Sequence, residues 1–172
     1  MSFDLLLFNL IHGGAGISSM LDSLGIFCAR YVPYVLVIAF FIFLIREVNW
    51  KKRMEIALWT GITLLISDGL ITQTIRFFYQ RARPFVTLNF TPLIANTDPS
   101  FPSGHMAFFG ALSLMVFFYN RTWGWWFFSA TAVNGLARIF VGVHWPSDIV
   151  GGIVVALFSF FVVKEVLMKR AQ

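Results

Sequence analysis

The chain has 172 residues, of which 58% are hydrophobic, 18% aromatic and only 12% charged. A soluble domain carries about 25% charged residues, so this one has too little polar surface to cover itself in water. The same numbers exclude intrinsic disorder, which needs low hydrophobicity and high charge. The net charge of +5 does not point to nucleic acid, because the basic residues are scattered among apolar runs rather than gathered on one stripe.

The expectation is an all-α integral membrane helical bundle, a single domain over residues 1–172. Residues 1–18 form an apolar run too short to cross a bilayer core and read as an interfacial amphipathic helix, with His12 an interfacial residue. No basic n-region or small-residue cleavage site marks a removable signal peptide. Five spans follow, at about 23–45, 54–76, 104–119, 123–142 and 147–163. Cys28, the single cysteine, lies in the first span as a small buried hydrophobe. Arg30 in the first span and Asp68 in the second are intramembrane charges, and such groups usually face the bundle interior and pair. An Arg30–Asp68 ion pair is therefore expected, the alternative being an Arg30 that snorkels alone to the interface. The long polar stretch 80–102 is of the kind that usually carries function.

Five spans place Arg46, Lys51, Lys52, Arg53, Arg121, Lys164, Lys169 and Arg170 on one side. Arg30, Arg76, Arg81, Arg83 and Arg138 fall on or near the other. The positive-inside rule puts the first group in the cytoplasm, so the 80–102 loop is expected to face the periplasm or exterior from an inner, cell membrane.

Three clusters occupy span ends on that outward side. The first is Arg76 with Arg83-Pro84. Seven residues on a helix return to the same face two turns on, and guanidinium forks suit phosphate; Pro84 disfavours helix at Arg83. Taken alone, the pair equally fits interfacial arginines reaching headgroups. Arg81 beside it is expected to be a plain interfacial residue, with contact to a second phosphate or a headgroup as the alternative. The second cluster is Pro102-Ser103-Gly104-His105 at a span start, where free amides and the helix dipole favour an anion and His105 can hold a proton. An ordinary capped helix start fits those residues too. The third is Arg138, His144 and Asp148. Asp148 can accept the imidazole N–H of His144, fix its tautomer and leave the other nitrogen free to attack. Two histidines and an aspartate also suit zinc, but the three arginines would repel a cation. No metal or cofactor is expected.

The joint pattern Arg76-x6-Arg83-Pro84, Pro102-Ser103-Gly104-His105 and Arg138-x5-His144-x3-Asp148 resembles the three-part signature of the type 2 phosphatidic acid phosphatase superfamily. Two positions depart from it. Arg76 stands where the family usually has lysine, and Ala137 precedes Arg138 where it usually has serine. The resemblance implies that His144 attacks phosphorus to form a phosphohistidine, oriented by Asp148. It implies that His105 protonates the leaving oxygen and then activates water. Arg76, Arg83, Ser103, Gly104 and Arg138 would hold the phosphoryl oxygens.

The expected activity is hydrolysis of the terminal phosphate of a polyprenyl (undecaprenyl) diphosphate. A glycerolipid phosphate such as phosphatidylglycerophosphate or phosphatidic acid, or lipid A, is the alternative substrate. A non-enzymatic anion transporter is a remote one. The expected partners are the lipid substrate and the bilayer, with neither nucleic acid nor an obligate protein partner.

Overall fold

A computed structural model describes residues 3–168. Its elements are α1 (Phe3–His12), α2 (Ser19–Arg30), α3 (Val32–Arg46), α4 (Trp50–Phe78), the one-turn α5 (Pro84–Thr87), α6 (Gly104–Tyr119), α7 (Arg121–Phe140) and α8 (Pro146–Val162), which runs on through Val163–Met168 with wider turns. By length and apolarity, α4 and α8 each suffice to cross a membrane, and α2 with α3 make a third, bent candidate. α6 is apolar but shorter.

The expected first span is two helices meeting at 42°. Pro33 explains the break, since it lacks the N–H that would bond to the carbonyl of Ala29 four residues earlier. The side chain of Asn134 on α7 supplies a donor instead, with Nδ2 3.1 Å from the Ala29 carbonyl and 2.9 Å from that of Cys28. Within a bilayer such freed carbonyls need a protein partner, and here α7 provides one. Cys28 itself is only half-buried.

α4 is a continuous helix of 29 residues whose turns widen to π-helical over Leu65–Thr72. Ser67 in that stretch donates to the Ala107 carbonyl at 2.9 Å, joining α4 to α6. α6 is the centre of the bundle. It is apolar on every side, and Met106, Ala107, Ala111, Leu112, Met115 and Val116 are all buried, as expected for a helix enclosed by others. Close approach of α8 depends on Gly152: a Cβ there would sit 2.5 Å from the Ser103 carbonyl oxygen. The largest apolar cluster joins Leu36 and Phe43 of α3, Ile56 of α4, Phe109 and Leu112 of α6 and Phe127 of α7.

Helix direction alternates, so the C-terminal ends of α4 and α7 and the N-terminal ends of α6 and α8 share one end of the bundle. The opposite end gathers basic residues. Lys52 pairs with Glu47 at 2.8 Å, Arg46 lies 5.7 Å from the centre of the Trp123 ring, and Lys164 lies 5.8 Å from that of Phe118. Lys169 and Arg170 fall outside the described residues.

Candidate active site

α4 ends at Phe78, and residues 79–83 run on without helix to Arg83, whose backbone is extended before Pro84. Arg76 and Arg83 are therefore not two turns apart on one helix face. They meet because the chain leaves the helix between them and folds back. Arg83 is held by backbone carbonyls, with Nε donating to Asp98 and Nη1 to Val143, both at 2.6 Å. Arg76 donates through Nη2 to the Pro102 carbonyl at 2.9 Å. Such fixed arginines lose little further freedom when they meet an anion.

A cavity of about 500 Å³ lies at this end of the bundle, lined by Arg76, Arg83, Gly104, His105, Arg138 and His144 among others. Ser103 immediately precedes α6, makes no side-chain capping bond and is fully buried. All three sequence clusters thus converge. Ser103 Oγ and Arg138 Nε are both buried without a hydrogen-bond partner among the described residues. Leaving such groups unpaired costs free energy, so the site is built for a ligand that accepts hydrogen bonds.

His144 sits in the turn between α7 and α8 and is 1% exposed. Its Nδ1 lies 3.4 Å from Asp148 Oδ2, and its Nε2 lies 3.5 Å from Arg83 Nη1. Burial lowers its pKa to about 3, Arg138 and Arg83 push the same way, and the contact with Asp148 opposes them. The imidazole is neutral near pH 7 and keeps a lone pair on one nitrogen. Burial likewise lowers Arg83, to about 10, which leaves it charged at neutral pH.

Asp148 is in the first turn of α8, where the helix dipole favours a carboxylate. Oδ2 accepts from the Trp145 N–H at 2.8 Å and from the Ser100 hydroxyl. Oδ1 accepts from Arg81 Nη1 at 2.7 Å. Arg81 is thus a partner of the site's buried carboxylate and no plain interfacial residue. Ser100 likewise escaped the sequence reading; proximity to Pro102-Ser103 was its only signal.

The expected Arg30–Asp68 pair is absent among the described residues. Arg30 is exposed and lies 6.0 Å from the centre of the Tyr31 ring. Asp68 lines the cavity instead, because the widened turns of α4 carry it toward α6. A Cβ on Gly104 would lie 2.8 Å from Asp68 Oδ1 and 3.5 Å from Arg76 Nη2, so glycine is what lets both side chains approach the start of α6.

The PAP2 superfamily model matches residues 56–172 of the chain, which include every residue of the three clusters. The chain belongs to the PAP2 superfamily. It is an enzyme, a membrane PAP2 phosphatase. Among curated PAP2-type relatives, it is 36% identical over 167 residues to the undecaprenyl-diphosphatase BcrC of Bacillus subtilis, an alignment covering 94% of this chain and 84% of that one. It is 29% identical over 153 residues to the lipid A 4'-phosphatase of Porphyromonas gingivalis, covering 84% and 65%. The crystal structure of Aquifex aeolicus LpxE superimposes with a TM-score of 0.80 at 20% identity, covering 96% of each chain, and so shares the PAP2 fold.

Proposed function

We propose that the protein removes the terminal phosphate of a polyprenyl diphosphate such as undecaprenyl diphosphate. One observation carries this reading: a buried, neutral His144, backed by Asp148, faces a cavity with three arginines and unpartnered donors. The Nε2 lone pair of His144 attacks phosphorus while the P–O bond to the lipid breaks. His105 gives its proton to the leaving oxygen. Water then attacks the phosphohistidine, yields a proton to His105, and breaks the N–P bond. Arg76, Arg83 and Arg138, with the Ser103 hydroxyl and the Gly104 N–H, hold the phosphoryl oxygens and stabilise the charge that develops on them. Asp148 is already engaged by His144, Arg81 and Ser100, and the arginines supply the positive charge that a metal would otherwise bring.

The polyprenyl substrate is favoured by the BcrC relative and by the cavity's other wall. Pro33, Tyr34 and Val37 of α3 and Phe108 of α6 form an apolar side suited to a lipid chain entering from the bilayer. A lipid A phosphate is the second reading, supported by the Porphyromonas gingivalis relative. We read five crossings (α2 with α3, α4, α6, α7 and α8), supported by the alternating helix directions, and a site at the outer face of the inner membrane, supported by the basic opposite end.

The test is phosphate release from a panel of detergent-solubilised lipid phosphates, with EDTA present and His144→Ala as control. Release that is fastest from undecaprenyl diphosphate, insensitive to EDTA and lost in the variant is expected. No release from any lipid sinks the reading, and loss in EDTA sinks the metal-free chemistry.

A further inference from the structure

The N-terminal helix reaches the catalytic end of the bundle through a chain of short polar contacts. Asp4, in the first turn of α1, accepts from the Ser147 N–H at 2.9 Å through Oδ1 and from the Ser147 hydroxyl at 2.7 Å through Oδ2. The same Oδ2 lies 2.6 Å from Arg81 Nη2. Arg81 Nη1 in turn donates to Ser147 Oγ at 2.6 Å and to Asp148 Oδ1 at 2.7 Å. Arg81 therefore bridges two carboxylates that are distant in sequence, one on α1 and one at the start of α8.

The seat of α1 is built on apolar and polar contacts alike. Phe8 is buried, with its ring 5.2 Å from that of Trp145, and His12 Nδ1 lies 2.7 Å from the carbonyl oxygen of Phe140 at the end of α7. Phe3, Leu6 and Leu10 are exposed, as befits a helix lying against lipid. The match to the PAP2 superfamily begins at residue 56, so Asp4 belongs to a part of the chain that the family pattern does not cover.

A carboxylate turns readily about its last torsion, whose preferences are broad. Binding Oδ1 to a fixed guanidinium sets the plane of the group and thereby aims Oδ2 at His144. We propose that Asp4 and Arg81 form a latch by which the N-terminal helix orients Asp148, making both of them positioning residues for the phosphatase reaction. The Arg81 guanidinium also lies 5.6 Å from the centre of the Trp145 ring. Asp4 holds Nη2, and Ser147 Oγ shares Nη1 with Asp148, so that Nη1 stays on Asp148.

The inference rests on His144 being the nucleophile, and its test separates the two ideas. Initial rates of phosphate release from undecaprenyl diphosphate in detergent micelles are measured for the full chain and for Asp4→Asn, Arg81→Ala, Arg81→Lys and the double variant Asp4→Asn/Arg81→Ala. Partners that orient the ligands of metal sites cost about 10–100-fold in activity when removed, and the same range is expected for partners that orient Asp148. Arg81→Ala is expected at the upper end of that range, in kcat, with KM within threefold of wild type. Asp4→Asn is expected at the lower end, and Arg81→Lys should recover part of the loss. Because the two residues act as one unit, the double variant should be no slower than Arg81→Ala. A raised KM with unchanged kcat makes Arg81 a headgroup ligand and overturns the latch. So do fully additive losses, or Asp4→Asn at wild-type kcat. Should Arg81→Ala fail to fold, Asp4→Asn and Arg81→Lys decide, and wild-type kcat in either overturns the proposal. No release by the unaltered protein, or undiminished release by His144→Ala, removes the proposed function instead.

Discussion

The two flanks of His144 are built in opposite ways. On the Asp148 side both carboxylate oxygens are engaged, by Arg81, Ser100, the Trp145 N–H and His144 itself. On the cavity side Ser103 Oγ and Arg138 Nε are buried with nothing to bond to among the described residues. A satisfied network holds geometry in the empty protein, whereas unsatisfied donors are stabilised only when an anion arrives. Under the proposed function, the first flank serves as support and the second receives the substrate.

That contrast yields a graded set of expected outcomes. His144→Ala removes the group between the flanks and should lower phosphate release about 10⁴-fold or more, read as single-turnover rate. Acid should act on the same residue through stability. His144 is lowered from an ordinary 6.5 to about 3 in the folded protein, so its contribution is full above pH 6.5 and is lost as pH falls through 3. The span amounts to about 5 kcal/mol. Melting in detergent from pH 7 to pH 3 should therefore fall more steeply for the unaltered protein than for His144→Asn. Equal slopes would remove the buried neutral histidine from the account.

On the cavity flank, Arg138→Met should slow the reaction about 10²–10³-fold. The empty protein should melt no lower, because a buried charge without a partner disfavours the folded state. Asp148→Asn should lower rate and melting temperature together. If Arg138→Met unfolds the protein while Asp148→Asn leaves it stable, the division of the flanks is reversed. Gly152→Ala tests the frame under both. Its Cβ would meet the Ser103 carbonyl oxygen at 2.5 Å, and overpacking of this kind costs about 1–3 kcal/mol. Loss of melting temperature with a smaller loss of rate is expected.

Much of the cavity flank was legible in the chain. Arg76, Arg83, Gly104, His105, Arg138 and His144 were named from local spacing, and they line one cavity. One pairing arises differently from the helical spacing, however. Arg76 and Arg83 converge through an extended stretch after Phe78 rather than along a helix face. The supporting flank was largely hidden. Asp4, Arg81 and Asp148 are joined across 77 and 67 residues, and no periodicity relates positions so far apart. Asp68 and Arg30 illustrate the same limit. Both stood out as charges within apolar spans, but π-helical turns in α4 and the break before Pro33 turned them to different surroundings.

By itself the sequence determined that the protein is a helical membrane protein and which residues gather at one end of it. Apolar content decides the solvent, and charges within apolar runs concentrate where they are needed. Only the tertiary structure decided which carboxylate meets which arginine, that α1 is tied to α8, and that Asp68 belongs to the cavity. Those outcomes depend on where helices break, widen and pack, and contacts between distant segments exist only after the whole bundle has closed.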